Sequence, residues 1–482
     1  MILPVKDREG PMADLVLINP SHVDYGKEKN SAWNRLSILE VVPPLGLLYV
    51  GASAINAGYN VKLIDMEAEV ISFKKLTGRI KEIKPRVVGI TCSTALFDHS
   101  VELSRMIKSV LDVPIVVGGP HSIMDSDGIL ENETIDYCLR GESDVTIAPL
   151  LDYIIKQSGS PKEIKGLSYR ENSKVIHNKA SESISDLNTV PFPARQLLKR
   201  ELYFNLFTET TVCTSIVTSR GCPYKCIYCH PIYDRGRQRS VENVVSEIKE
   251  TVDRYKIVDF QFFDETFNLN PQWTIDFCNE IIRQNISISW RARCRPDLFT
   301  REVVQGMKKA GCRVISMGVE SANDNTLKWF NKGYSRKQVQ DAMDMIAEEG
   351  IELHGYFILG APVETKEDMV KTIELACKPQ FSYATFSILT PLEGTKFLDM
   401  AIKEGYLDDP DQIDYSDLTG CKSLLKHPSM TKDEIKSLYQ YAYKKFYFRL
   451  APILGMFKRV IGNPFLYCKM VQRALKGIKI LG

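Results

Sequence analysis

The chain has 482 residues, of which 44% are apolar and 25% charged, with 62 Lys and Arg against 60 Asp and Glu for a formal charge of +2. That length exceeds one ordinary core and predicts two domains plus an appendage, and the composition excludes a disordered chain. The near balance of charge excludes a whole-chain field that would draw nucleic acid.

Residues 1–13 read as a leader. They carry charges where a secretory signal needs an apolar run, and they lack a small-residue cleavage site. The most apolar early stretch, residues 41–57, is broken by Pro43, Pro44 and Gly46 and is too short to span a bilayer. The expectation is a cytoplasmic protein, whose twelve cysteines do not form a disulfide framework.

Over residues 14–155 short β-branched runs alternate with amphipathic stretches. LVLIN at 15–19, VKLID at 61–65, VVGIT at 87–91 and IVVG at 115–118 read as strands, and Pro44 to Ala57 and His99 to Val110 as crossover helices. This predicts an α/β, doubly wound, Rossmann-like domain that takes its ligand at the carboxyl ends of its strands. Residues 156–206 are polar and punctuated by Pro161, Gly166 and Pro191-Phe192-Pro193, and read as a connector. A second alternation fills 207–400: SIVTSR, VDFQFFD, ISWRARC, VISMGVE, HGYFILG and ATFSILT are six strand candidates with helical spacers. They predict a partial (βα)6 TIM-like barrel with its chemistry at the strand carboxyl ends. Residues 401–482 read as helical and basic, with ten Lys or Arg and no acidic residue after Glu434.

The first barrel strand runs into TSRGCPYKCIYCH, which holds Cys222, Cys226 and Cys229 in a Cys-x3-Cys-x2-Cys spacing. Thiolates are the ligands that iron–sulfur clusters need, and a short spacing lets one loop wrap a cubane. Three ligands for four irons leave one iron open to chelate a cosubstrate. A zinc loop using adjacent His230 as its fourth ligand is the bland alternative.

This segment resembles the radical S-adenosylmethionine (SAM) superfamily. The resemblance implies a [4Fe-4S] cluster on the three cysteines as the catalytic centre, and SAM as cosubstrate. It places Tyr228 near the adenine, the acidic pair Asp264 and Glu265 at the methionine ammonium, and Arg293 with Glu320 and Ser321 at the carboxylate and ribose. Arg291, Arg295 and Asp297 flank that set, and the run through Ile358 and Gly360 meets the adenine with its backbone. The amino-terminal domain resembles the cobalamin-binding domain of one subgroup, through Asn19-Pro20, Pro43-Pro44-Leu45-Gly46-Leu47, Asp65-Met66-Glu67, Val117-Gly118-Gly119-Pro120-His121 and Arg140-Gly141-Glu142. The resemblance thus implies cobalamin contacts from Leu45, Gly46, Asp65, Glu67, Gly118, Gly119, His121, Gly141 and Glu142. Small residues there would let the backbone approach a flat macrocycle. The best-known cobalamin pattern, Asp-x-His-x-x-Gly, is not met, because residues 65–70 read DMEAEV with no histidine to ligate cobalt.

With both cofactors the resemblance implies abstraction of hydrogen from an unactivated carbon by a 5′-deoxyadenosyl radical. C-methylation, as in the radical methylases of hopanoids and natural products, is the expected outcome. Oxidative ring closure, as in the anaerobic magnesium-protoporphyrin monomethyl ester cyclases, and a radical enzyme with a vestigial cobalamin domain stay open. A flavodoxin or ferredoxin is the implied electron donor. Outside the enzyme class, a cobalamin or iron–sulfur sensor is the rival. The basic, aromatic carboxyl-terminal region is read in two ways, as a helix closing the barrel and as an amphipathic segment at a membrane surface, and the second motivates a hydrophobic or lipid-like substrate.

Overall fold

The computed structural model describes residues 12–21, 40–205, 210–230, 233, 235–407, 413 and 423–481. Most of the expected leader and residues 408–412 and 414–422 of the carboxyl-terminal region lie outside the described residues.

The first sheet has seven strands: β1 (Leu15–Asn19), β2 (Val61–Asp65), β3 (Val87–Thr91), β4 (Ile115–Gly118), β5 (Tyr137–Leu139), β6 (Leu167–Glu171) and β7 (Lys174–His177). Their order is β2-β1-β3-β4-β5-β6-β7, parallel through β5 and antiparallel beyond it. Parallel strands covered on both faces read as unbroken apolar runs. Val16, Ile18, Val88 and Ile90 pack into one face's core, while Leu15, Leu17, Val87 and Val116 pack into the other's. Because β2 and β3 lie on opposite sides of β1, a crevice opens at the carboxyl ends of β1 and β3.

The sheet continues into the stretch expected as a connector. Asn172 and Ser173 both adopt positive φ, 50° and 63°, which makes the two-residue turn that matches strand twist, so LSYRE and KVIH fold back as the β6–β7 hairpin.

The second sheet holds β8 (Cys213–Ile216), β11 (Asp259–Phe262), β12 (Ser289–Cys294), β13 (Cys312–Glu320), β14 (Glu352–Leu359) and β15 (Phe381–Ile388). All are parallel, in the order β15-β14-β13-β12-β11-β8, which is the open six-stranded barrel predicted. Between β8 and β11, β9 (Ser219–Arg220) pairs antiparallel with β10 (Arg237–Gln238). Trp290, Ala292 and Cys294 of β12 join the core beneath the helices, so the alternation turns Arg291 and Arg293 into the lumen. By the same alternation Ser316 and His354 face inward, giving a polar interior.

The open edge at β15 is closed by the helix Lys432–Tyr447. It buries Ile435, Leu438, Ala442 and Phe446, and Tyr447 Oη donates to the Ala384 carbonyl at 2.8 Å. The first half of the basic region is therefore a barrel-closing helix. Among the described residues no helix is long and apolar enough to cross a membrane.

Candidate active site

The loop after β9 begins at Gly221, with φ +90°, where any side chain would strike the carbonyls of Arg235 and Tyr233. Beyond it the cysteine loop is stapled to the barrel. Ile227 N donates to Phe330 O (3.1 Å), Asn331 Nδ2 to Lys225 O (2.7 Å) and Phe397 N to Ile227 O (2.9 Å). Cys222 and Cys226 are half-buried and Cys229 is exposed as a residue. Desolvation of its sulfur, with Cys226 and Cys222 adding to it, pushes the Cys229 thiol up to about 11.

Among the described residues no three His, Cys, Asp or Glu side chains stand close enough to hold a metal ion. His230 packs instead against Gly394. A single zinc ion needs its ligands drawn to one point, whereas a cubane gives each thiolate its own iron and holds the sulfurs further apart. Three cysteines on one loop suit a cubane, which gives each thiolate its own iron, better than a single zinc ion.

At the end of β11 the acidic pair divides. Asp264 is fully buried and accepts from Thr218 Oγ1 (2.7 Å), Ser219 Oγ (2.6 Å) and Thr218 N (3.0 Å). Its carboxylate ties the end of β11 to the turn that launches the cysteine loop and is not presented to a ligand. Glu265 lines the cavity mouth, where partial desolvation raises the pKa of its carboxyl and the Arg293 charge opposes that shift.

Arg293 and Glu320, both expected at the carboxylate and ribose of SAM, each have a partner within the protein. The Arg293 guanidinium lies 4.9 Å from the centre of the Phe263 ring. Glu320 sits at a register shift in β13 with φ 62°, a left-handed conformation that a non-glycine residue adopts only under constraint. Its Oε1 accepts from Lys332 Nζ at 3.0 Å, and the same ammonium donates to Tyr228 Oη at 3.1 Å. Burial, with Glu320 adding to it, holds the Tyr228 phenol far above its ordinary pKa. Ile358 packs in the apolar cluster that Tyr228 and Phe330 share, and Gly360 follows with φ +87°.

The flanking residues are committed elsewhere. Arg291 pairs with Glu40, and Arg295 forms a bidentate pair with Asp297 while stacking on Tyr224. Ser321 is fully buried and donates to Glu364 at 3.1 Å.

A cavity of about 470 Å³ lies between the two domains. Leu45, Gly46, Gly118, Gly119, Gly141 and Glu142 line it from the carboxyl edge of the first sheet, and Val217, Phe263 and Glu265 line it from the barrel. Gly119, φ +111°, is demanded by the backbone, because a Cβ would meet Cys92 O at 2.7 Å. Gly46 is different. Nothing lies within 4 Å of where its Cβ would be, so the missing side chain leaves room in the cavity and serves no packing need. An apolar, glycine-floored cradle at strand carboxyl ends fits a corrin.

Asp65, Glu67 and His121 do not line this cavity. Asp65 caps the helix Met66–Glu69 and accepts from Tyr203 Oη (3.0 Å), with burial pushing its carboxyl up to about 6. Glu67 accepts from Ser21 Oγ at 2.6 Å. His121 is buried against Phe97 with Nδ1 3.3 Å from Thr94 Oγ1, and burial lowers its pKa. Glu142 does line the cavity, but its carboxylate is taken by Arg220 Nη1 (2.8 Å) and Arg237 Nη1 (2.7 Å). Arg220 also grips Asp144 at 2.8 Å. This buried cluster fastens the amino-terminal domain to β9 and β10. Lys332, Arg220, Arg237 and Asp144 escaped the reading of the sequence. Arg220 stands two residues before Cys222, the one local hint of its place.

Two family models match: the Radical SAM superfamily over residues 216–376 and the B12 binding domain over residues 34–151. The chain is 33% identical to an uncharacterized methyltransferase of Pyrococcus horikoshii, over 84% of this chain and 88% of that protein. It is 25% identical to the anaerobic magnesium-protoporphyrin IX monomethyl ester cyclase of Cereibacter sphaeroides, over 91% and 71%. Its fold matches the radical SAM methyltransferase TsrM of Kitasatospora setae, solved with cobalamin and a [4Fe-4S] cluster, at a TM-score of 0.68 and 18% identity over 90% and 89% of the two chains. With the cysteine loop, the six-stranded barrel and the glycine-floored cavity in place, the chain belongs to the radical SAM superfamily, in the branch that carries an amino-terminal B12 binding domain and works with a [4Fe-4S] cluster, SAM and cobalamin.

Proposed function

We propose that the protein C-methylates an unactivated carbon of a small, largely hydrophobic molecule. The observation that carries this reading is the shared cavity, whose walls come from the strand ends of both domains. When bound, the cofactors would supply a carbon radical and a methyl group.

The chain's own contribution is holding and aiming. Cys222, Cys226 and Cys229 hold the cluster. Tyr228 and the backbone from Ile358 to Gly360 receive the adenine, Glu265 the ammonium, and Arg293 and Glu320 the carboxylate and ribose of SAM. Asp264 and Ser321 act one step back, fixing the turn before the cysteine loop and the end of β13. Leu45, Gly46, Gly118, Gly119 and Gly141 receive the corrin, while Glu142 holds the cavity wall through its arginines. The lining is mainly apolar, with Leu17, Val50 and Ile147 among its residues, so the space excludes water and accepts an apolar substrate. A flavodoxin or ferredoxin supplies the electron.

Peripheral membrane contact is part of the proposal. In the helix Leu450–Gly462, Leu450, Leu454, Phe457 and Ile461 recur at steps of four, three and four residues and are all exposed, Ile461 at 78%. Such a stripe in a segment whose charges are all positive suits an anionic lipid surface.

Anaerobic incubation of the protein, reconstituted with cluster and cobalamin, with SAM, a reductant and a panel of apolar small-molecule acceptors tests the activity. Methylation requires 5′-deoxyadenosine and S-adenosylhomocysteine in equal amounts, because one SAM yields the radical and another the methyl group. 5′-Deoxyadenosine alone would favour ring closure, and neither product would leave the sensor reading.

A further inference from the structure

We propose that Lys332 and Glu320 form a charge pair that sets the potential at which the iron–sulfur centre accepts its electron, with the Lys332 ammonium making reduction easier and Glu320 holding that effect in check. The inference rests on the assignment of the cluster to Cys222, Cys226 and Cys229.

Lys332 is only 8% exposed and is delivered by a sharp turn, with Asn331 at φ 57° and Gly333 at φ 73° on either side. The same turn carries the staples of the cysteine loop, since Phe330 and Asn331 bond Ile227 and Lys225. The turn that presents the ammonium is thus the one bonded to the cysteine loop. The ammonium reaches the loop directly through Tyr228 Oη, the side chain next to Cys229. Glu320, whose backbone is left-handed, accepts from the same ammonium at 3.0 Å.

Stability does not explain the arrangement. A buried ion pair gains little over apolar residues of the same volume, and the backbone strain at Glu320 adds a cost. A field at the cluster does explain it. Adding an electron adds negative charge, which a desolvated cation nearby stabilises and a carboxylate opposes. The ammonium bonds the cysteine loop itself, through Tyr228 Oη, whereas Glu320 bonds that ammonium, so the cation is the charge fastened to the loop.

The test is an anaerobic redox titration, read by electron paramagnetic resonance, of the full-length protein with reconstituted cluster and without SAM, so that lost cosubstrate binding cannot move the result. K332M is expected to lower the midpoint by about tenfold in the reduction equilibrium, ~59 mV for one electron. E320Q is expected to raise it, and K332R to stay within about threefold of the parent. Midpoints for K332M and E320Q both within about threefold of the parent, at equal iron and sulfide content, would overturn the proposal. If K332M fails to assemble a cluster, E320Q decides by itself: a raised midpoint supports the pair and an unmoved one rejects it. A parent protein without iron and sulfide is a separate failure, of the cluster assignment.

Discussion

Arg220 Nη1 lies 2.8 Å from Glu142 Oε1, so the residue two positions before the first cluster cysteine is gripped by the domain that floors the cavity. Glu142 is buried, yet the Arg237 and Arg220 hydrogen bonds more than offset desolvation and hold its carboxyl below the usual range. Removing one partner of a buried pair leaves an undercompensated charge. Arg220→Met is therefore expected to destabilise the protein by about 3 kcal/mol and to weaken cobalamin binding, as measured by anaerobic denaturant unfolding and hydroxocobalamin titration. Parent-like values in both would mean that the contact does not couple the domains.

Gly46 offers a substitution in which stability and ligand binding part company. Nothing crowds its Cβ position, and it lies in the first turn of the helix Leu45–Asn56. Gly46→Leu should leave the melting temperature unchanged or raise it, because leucine favours helix over glycine by up to about 1 kcal/mol. The new side chain projects into the cavity, so hydroxocobalamin affinity should fall by about tenfold or more. Undiminished affinity would remove this cavity as the corrin site.

Glu364 predicts a pH dependence. It is buried, accepts from Ser321 Oγ and Ala361 N, and burial pushes its carboxyl from 4.5 up to about 7. Between those values the folded chain holds a proton that the unfolded chain has lost, so this residue's contribution to stability is complete below the lower value and falls as pH rises to the upper. The loss amounts to roughly 3 kcal/mol. Glu364→Gln should flatten the unfolding free energy between pH 5 and 7, and an unchanged slope would contradict the assignment.

The exposed stripe on the helix Leu450–Gly462 should bind vesicles containing phosphatidylglycerol and not those of phosphatidylcholine alone. Leu454→Glu and Phe457→Glu each replace an exposed apolar residue, 56% and 59% exposed, and should weaken that binding about tenfold apiece in a sedimentation assay. Equal sedimentation of parent and variants would reject membrane docking.

What the sequence disclosed follows the range of the physics. The strands at 15–19, 61–65, 87–91 and 115–118 were legible because buried parallel strands are local apolar runs, and the cysteines because one loop carries all three. The hairpin at 167–177 was hidden by polar residues on its outer strand, although Asn172-Ser173 is a turn signal. Partnerships across the fold were not legible at all. The sequence names Glu320 and Arg293 as strand-end charges, but only the packed barrel decides that Glu320 meets Lys332 and that Arg293 lies over Phe263. Likewise Asp264 and Glu265 are adjacent just past β11, and the chain there buries the first and leaves the second lining the cavity.

Whether the protein holds a cubane with one iron left for SAM is decided by iron and sulfide analysis of the anaerobically reconstituted protein, with its paramagnetic resonance spectrum recorded before and after SAM is added. About four irons and four sulfides per chain are expected, with a spectrum that SAM perturbs and loss of both on Cys226→Ala. A protein that binds zinc in place of iron, or a cluster whose spectrum is indifferent to SAM, would contradict this.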